Sequence, residues 1–445
     1  MLSDQDQTFI KQKQALSQGI AVASQLVVER AQGCTITMTN KEVYLDMTSG
    51  IGVLNTGHCH PKVVEAVEKQ ARTMAHAQIN MFYHTPLLTL MDRLRRYTAP
   101  LDTFCFNNSG SEAVESAIKL ARHATKKQNV IVFNGGHHGR TFGAMALTGS
   151  KTVFSAGFGP LMSGIYYVDY PYSFRCSAAM FEGHTSDHCV QETIRQLSTL
   201  LKQRCHPNDT AAILVEPVLG EGGYVPAPKG FFQALRSFCD QHDILLIADE
   251  VQSGFGRTGK MFAIEHFDVC PDILVMAKGI ASGYPLSAIV SRKSLMDKLP
   301  SNSMGGTYVG NCVSCAAALA TLDVFEKEQI LHNVQQRSMQ AFDYLHKQLD
   351  ALDLPDALLP LDIRGLGLMI GIEFGGQRVP TGFATKVVQH CREHEHLLLL
   401  TASIYETIRI IPPLVVDADT LEDALQRLVR SIQYVATDMK NQGLF

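Results

Sequence analysis

Positive charge is in short supply. Lys and Arg total 39 against 43 Asp and Glu, a net charge of −4. Nucleic acids and anionic membranes both need a basic surface, so neither is an expected partner. No apolar run approaches the length that spans a bilayer. The opening stretch, MLSDQDQTFIKQKQALSQGI, carries Asp4 and Asp6 early and has no apolar centre, unlike a secretory signal. The first arginine is Arg30, so an Arg-rich organelle leader is missing as well. The expectation is a soluble, cytoplasmic protein. Paired cysteine motifs are scarce too: Cys312 and Cys315 form one C-x-x-C without a second. The eleven cysteines are odd in number and scattered from Cys34 to Cys391, which reads as reduced thiols used for packing. No G-x-S-x-G elbow supports Ser-His-Asp hydrolysis. The pairs His58/His60 and His394/His396 have no acid cluster beside them, so they read as loop histidines and no metal is expected.

What is present is a large α/β pattern. The chain has 445 residues, 46% of them hydrophobic, enough for an extensive core. DTFCFN, NVIVF, GIYYVDY, AAILVEP, ILLIADE, DILVMAK and LSAIVS read as strands, several of them apolar on both faces as in a buried parallel sheet. SEAVESAIKLARHATK and KGFFQALRSFCDQHD read as helices between them. This alternation predicts a mostly parallel sheet covered by helices over 56–326. From 327 to 445 the pattern changes to a smaller α+β unit, closed by a helix with a capping signal at Asp419 or Thr420. Residues 1–55, with a strand pair in TITMTNKEVYLDMTSG, are expected to pack on that unit.

One stretch, ADEVQSGFGRTGK, imitates two nucleotide motifs. Gly254, Gly256 and Gly259 spell G-x-G-x-x-G, and Gly254 to Lys260 spell most of a Walker A loop. A Walker A lysine is followed by Ser or Thr for magnesium, whereas Met261 stands here. A dinucleotide fingerprint leaves a first strand straight into a helix, and these glycines come late, after DEVQS. Neither reading holds. The informative residue precedes the glycines: ILLIAD is an apolar strand ending in Asp249. DILVMAK likewise delivers Lys278 past an apolar run, and DTFCFNN leads into SGSEA at a helix start. Ligands of open α/β sheets bind beyond the carboxyl ends of strands. There Gly110 and Ser111 would offer amides and a hydroxyl to a phosphate. An acid, a lysine and a phosphate cradle together describe pyridoxal phosphate chemistry.

The chain resembles the class III, fold-type I pyridoxal-phosphate-dependent aminotransferases, most closely the 4-aminobutyrate aminotransferase group. NNSGSEAVESAIKLAR, HGRT, EPVLGEGG, DEVQSGFGRTGK and GGTYVGN carry the resemblance in this order, over nearly the whole chain. It implies that Lys278 carries the cofactor and moves the substrate proton. Asp249 would pair with the pyridinium, Gln252 with the ring hydroxyl, and Val251 would pack on one ring face. Gly110 and Ser111 would bind the phosphate, and Thr307 would do so from a neighbouring subunit, making a homodimer the minimum unit and leaving a tetramer open. Two residues depart from the family pattern. His137 stands where a Tyr or Phe usually stacks on the ring, and Cys312 replaces a Pro.

The resemblance also implies a substrate set. Arg140 would hold the distal carboxylate of an amine donor, and Arg409 the α-carboxylate of a 2-oxo acid acceptor, typically 2-oxoglutarate. Glu221 would neutralise Arg409 when the donor lacks an α-carboxylate, with Ile51 beside them. A planar guanidinium suits a carboxylate best. The expected activity is transfer of an ω-amine, 4-aminobutyrate above all, to 2-oxoglutarate. Three alternatives stand beside it: a racemase or epimerase of the same family, whose branch GFGPLMSGIYYVDYPYSFR resembles; an acetylornithine-type or other ω-amino acid enzyme; and a cofactor carrier without turnover. Arg140 favours the aminotransferase over the racemase, and the retained Lys278, Asp249 and arginines speak against the carrier.

Overall fold

The computed structural model describes residues 8, 9, 11–176, 185–375 and 379–445. Asp4 and Asp6, on which the expectation about a leader rests, lie outside the described residues. Among the described residues, no helix is long and apolar enough to cross a membrane.

All seven apolar runs become strands of one sheet, in the order Thr103–Asn107, Ser287–Ser291, Ile273–Met276, Leu245–Asp249, Thr210–Val215, Asn129–Phe133, Ile165–Val168. Only Ser287–Ser291 runs against the others. Alternation along each strand divides the side chains between two covering layers. Val130, Val132, Ile247 and Val275 pack with Ala113, Ala117 and Leu120 of the helix Gly110–Thr125. Ile131, Phe133, Leu246 and Leu274 face the other way, packing with Phe231, Phe232 and Leu235 of the helix Phe231–His242. Both faces are buried, which is why these strands read as continuous apolar runs rather than alternating ones.

A second, antiparallel sheet has the order Leu361–Leu366, Met369–Phe374, Thr407–Ile410, Leu400–Ala402. A third joins the two ends of the chain. Val28–Gln32, Thr35–Met38 and Val43–Asp46 pair antiparallel, and Leu397–Leu398 adds to the last of them in parallel. The closing helix, Ala418–Asn441, corrects the expected cap: Asp417, not Asp419 or Thr420, is the N-cap, accepting the Thr420 N–H at 2.7 Å. Asp417 is the residue with extended backbone, so its carboxylate can reach back to the first turn.

The stretch that imitates a nucleotide loop is a structural clamp. Gly256 has φ +81°, and a Cβ there would lie 2.6 Å from Phe325, so glycine is required twice over. The chain then delivers Arg257, which is fully buried. Its guanidinium donates to the Pro412 carbonyl, the Leu368 carbonyl (3.4 Å), Ser49 Oγ (3.3 Å) and Asn55 Oδ1 (2.8 Å). Burial lowers its pKa to about 10, against the pull of Tyr224 and Asp46, so it remains a cation at neutral pH. A buried cation whose two terminal nitrogens are held by four oxygens from distant segments is costly to truncate. Arg257→Met is expected to cost about 3 kcal/mol or more, read as a lower urea midpoint. An unchanged midpoint would contradict the clamp.

Candidate active site

The parallel direction of the central strands brings their carboxyl ends to one edge. Asp249 ends one strand, and Lys278 follows the end of the next. Asn107, register partner of Ser287, ends a third, with the strand Ser287–Ser291 between it and Met276, the partner of Ala288. A cavity of about 320 Å³ opens at this edge, lined among others by Gly110, Ser111, His137, Asp249, Val251 and Lys278.

At one wall the helix Gly110–Thr125 begins, with Ser109 as N-cap accepting the Glu112 N–H. The amides of Gly110 and Ser111 therefore open the helix without a carbonyl partner among the described residues. Close approach explains two glycines here. A Cβ at Gly110 would come 2.9 Å from Val251 Cγ1, and one at Gly139 would lie 2.2 Å from Ser111 Oγ. Ser111 Oγ also accepts the Arg140 N–H at 3.2 Å.

Asp249 is 3% exposed, and each of its carboxylate oxygens has one protein partner. Oδ2 meets His138 Nδ1 at 2.6 Å, and Oδ1 accepts the Val251 N–H at 3.0 Å. Burial acts to lower the His138 pKa, but the hydrogen bond and charge of Asp249, reinforced by Glu216, raise it above the ordinary value. Glu216 is also buried. Burial and the charge of Asp249 push its pKa up to about 7, against His138 and two backbone hydrogen bonds from His137 and Gly220, each 2.8 Å. Asp249 and His138 line the cavity, and Glu216 is buried within hydrogen-bonding reach of the His137 amide beside them.

Lys278 is half-buried, has φ +43°, and makes no hydrogen bond or ion pair among the described residues. Burial lowers its pKa, opposed by the charges of Glu221, Glu216 and Asp249. Gln252 reaches the carbonyl of Ile51 at 3.4 Å, while its Oε1 is buried without a partner. Ile51 itself is 44% exposed on a left-handed turn. His137 packs edge-on against Phe154, ring centres 4.8 Å apart. Burial lowers its pKa to about 4, with Lys278, His138 and Arg140 adding to the effect and Glu221 opposing it.

The two arginines behave differently. Arg409 is buried and paired with Glu221 at 2.7 Å, over the Tyr224 ring. Arg140 is exposed, its guanidinium 4.9 Å from the Phe154 ring centre, with no ion pair among the described residues. Thr307 lies on an exposed turn and does not line the cavity of its own chain. The remaining motifs have local partners: His58 meets Asp46 at 2.8 Å, His60 meets Glu328 at 3.3 Å, and His396 stacks on Tyr44. His394 lies against His390. Cys312 and Cys315 are buried at the start of a helix and donate to the carbonyls of Met74 and Gly310.

Sequence reasoning missed His138, Glu216, Lys151 and Phe154. Glu216 had the same signal as Asp249, an acid closing an apolar strand in AAILVEP. His138 was hidden by the neighbouring Arg140 in HGRT, and Phe154 by lying outside any motif.

Strand order, strand-end Asp and Lys, and the helix-start cradle define a fold-type I transferase. The sequence matches the family described as aminotransferase class-III over residues 19–432. It is 36% identical to the 5-aminovalerate aminotransferase of Pseudomonas aeruginosa over 98% of this chain and 100% of that one. It is 38% identical to the 4-aminobutyrate aminotransferase of Escherichia coli over 93% and 94%. A PLP-bound amine transaminase from an uncultivated Pseudomonas species superposes with a TM-score of 0.85 at 28% identity, over 95% and 98%. The chain belongs to the class III aminotransferases, the pyridoxal-phosphate-dependent enzymes of fold-type I.

The low His137 pKa has a consequence for stability. Above pH 6.5, His137 is neutral whether the chain is folded or not. Between 6.5 and about 4, the unfolded chain takes up a proton that the folded chain refuses, so stability falls as pH drops through that window. His137→Phe is expected to reduce this acid-side loss, measured as thermal midpoint against pH beside the unmodified protein. Parallel curves would contradict a neutral His137.

Proposed function

We propose that the protein transfers the amino group of an ω-amino acid bearing a terminal carboxylate, 4-aminobutyrate being the best fit, to 2-oxoglutarate. The products are the semialdehyde and glutamate. The observation that carries this reading is the buried Glu221–Arg409 pair in a site where Arg140 is uncommitted. With Arg409 neutralised, one free guanidinium remains for a donor with a single, distal carboxylate. The named activities of the two bacterial relatives, both on ω-amino acids, support the same choice.

The cavity residues fit pyridoxal phosphate. The unpartnered amides of Gly110 and Ser111 would hold the phosphate, at a spot that a Cβ at Gly139 would fill. The buried, unpartnered Oε1 of Gln252 would accept from the ring hydroxyl, and Val251 and His137 would flank the ring. When bound, the cofactor supplies an electron-withdrawing ring that stabilises charge on the carbon that loses its proton. Asp249 would hold a proton on the ring nitrogen, and His138 Nδ1, 2.6 Å from its Oδ2, holds that carboxylate in place. Lys278 is the proton carrier. Its lowered pKa raises the share of neutral amine, the form that takes up a proton. A neutral His137 leaves the ring's electron demand unchanged.

We also propose a homodimer, with Thr307 reaching the phosphate of the partner subunit. Thr307 sits beside exposed Tyr308, whose ring contacts His76, and the nearby segment exposes Met81, Phe82 and Tyr83 at 66–81%. Exposed aromatic clusters of this kind mark protein interfaces. Sedimentation equilibrium is expected to give twice the 48.9 kDa chain mass.

Mixing the PLP-loaded protein with 4-aminobutyrate alone should bleach the yellow cofactor absorbance. No bleaching, together with loss of optical activity from a branched L-amino acid, would move the assignment to a racemase. Arg140→Ala is expected to reduce kcat/KM for 4-aminobutyrate about a hundredfold by removing the carboxylate's cation. Cofactor binding and alanine-like donors should be spared. Equal losses for both donor types would overturn the role of Arg140.

A further inference from the structure

Lys151 opens the short turn Thr152–Phe154. Phe154 fixes this turn against the site, edge-on to His137 at 4.8 Å and 4.9 Å from the Arg140 guanidinium. The two residues before Lys151, Gly149 and Ser150, line one cavity of about 470 Å³ with Gly222 and Ser403. Ser403 in turn donates its N–H to the Glu221 carbonyl at 2.7 Å. Ser150, the neighbour of Lys151, and Gly222, the neighbour of Glu221, thus share one cavity wall. Lys151 is half-buried, and its amine has no hydrogen-bonded or ionic partner among the described residues. Burial lowers its pKa, Glu221 opposes this, and Arg409 adds to it. Glu221 reflects the same neighbours: burial acts to raise its pKa, and Arg409, His137 and Lys151 bring it below the ordinary value.

The argument from here rests on the two-substrate reading above. While an ω-amino donor is bound, Glu221 neutralises Arg409. When a 2-oxo acid arrives, its α-carboxylate needs Arg409, and Glu221 must leave. A carboxylate with only 18% of its side chain exposed does not give up one cation without finding another. The other basic groups nearby are committed or uncharged: Arg140 to a distal carboxylate, Lys278 to the cofactor, and His137 with a pKa near 4.

We infer that Lys151 receives the Glu221 carboxylate when a 2-oxo acid claims Arg409, and so acts as a positioning residue for the acceptor half of the reaction. The exchange moves no proton and breaks no covalent bond.

The test measures the two half-reactions separately by stopped-flow absorbance on the holoenzyme. In Lys151→Met, the half-saturating 2-oxoglutarate concentration for the pyridoxamine form is expected to rise about tenfold, the worth of one charge-assisted hydrogen bond. The 4-aminobutyrate half-reaction should stay within about twofold, and Lys151→Arg should restore the acceptor half. Calorimetric binding of glutarate, an unreactive dicarboxylate, should weaken in parallel in Lys151→Met. Equal loss in both half-reactions would make Lys151 merely structural. Loss confined to the donor half would make it a donor-carboxylate site, and no change would remove it from the reaction. Each of these overturns the inference. The unmodified protein separates the two levels of the argument: if it fails to react with 4-aminobutyrate, the donor assignment falls and the inference with it. A normal unmodified protein beside an unaffected Lys151→Met overturns the role of Lys151 alone.

Discussion

The buried guanidinium of Arg257 is the contact on which the rest of the site depends. It gathers Ser49 and Asn55 from the first segment, Leu368 from the second sheet and Pro412 from beyond the strand Thr407–Ile410. Around it, Ser49 Oγ donates to the Ile411 carbonyl at 2.7 Å, and Asn55 Nδ2 to the Phe255 carbonyl at 2.6 Å. The same seam fixes the left-handed turn carrying Ile51, the Gln252 side chain below it, and the strand that presents Arg409. A desolvated cation is tolerated because every acceptor is a fixed oxygen from another part of the chain. The site is thus assembled from three separate regions by one side chain that does not line the cofactor cavity.

Much of this organisation was legible in the residue pattern, for a physical reason. Strands buried on both faces must be apolar throughout, so all seven were visible, and a single acid or lysine at the end of such a run stands out. Asp249 and Lys278 were found that way, and the structure places both on the cavity. Arg257 was not, because its meaning lies in partners between about 110 and 210 positions away in sequence. The glycines around it instead suggested a phosphate loop, although Gly256 is there for a left-handed turn against Phe325. His138 and Phe154 escaped for the same reason: an imidazole on a carboxylate, or a ring beneath a guanidinium, has no spacing rule to announce it. Asp417 escaped for a smaller one, since Asp, Asp and Thr in succession all make plausible caps and only backbone conformation chooses between them.

The electrostatics of the site are organised in two tiers. At the cavity floor Asp249, His138 and Glu216 are buried, with Asp249 bonded to His138 and the charge of Asp249 helping to raise the Glu216 pKa to about 7. Nearby, Glu221 is paired with Arg409, Lys151 adds a further cation to its electrostatic surroundings, and Arg140 lies against Phe154. His137 separates the two tiers and stays neutral.

The parallel pairing of Val43–Asp46 with Leu397–Leu398 bears on how the protein is made. Tyr44 and Met47 enter the nascent chain early, yet Leu398 and Ile411, which pair with that segment, emerge more than 350 residues later. At ordinary rates of translation this leaves an apolar segment uncovered for on the order of tens of seconds. The central sheet has all its strands by Ser291 and can condense meanwhile. The substrate side of the pocket, built on the Arg257 seam, is completed only near the end of synthesis.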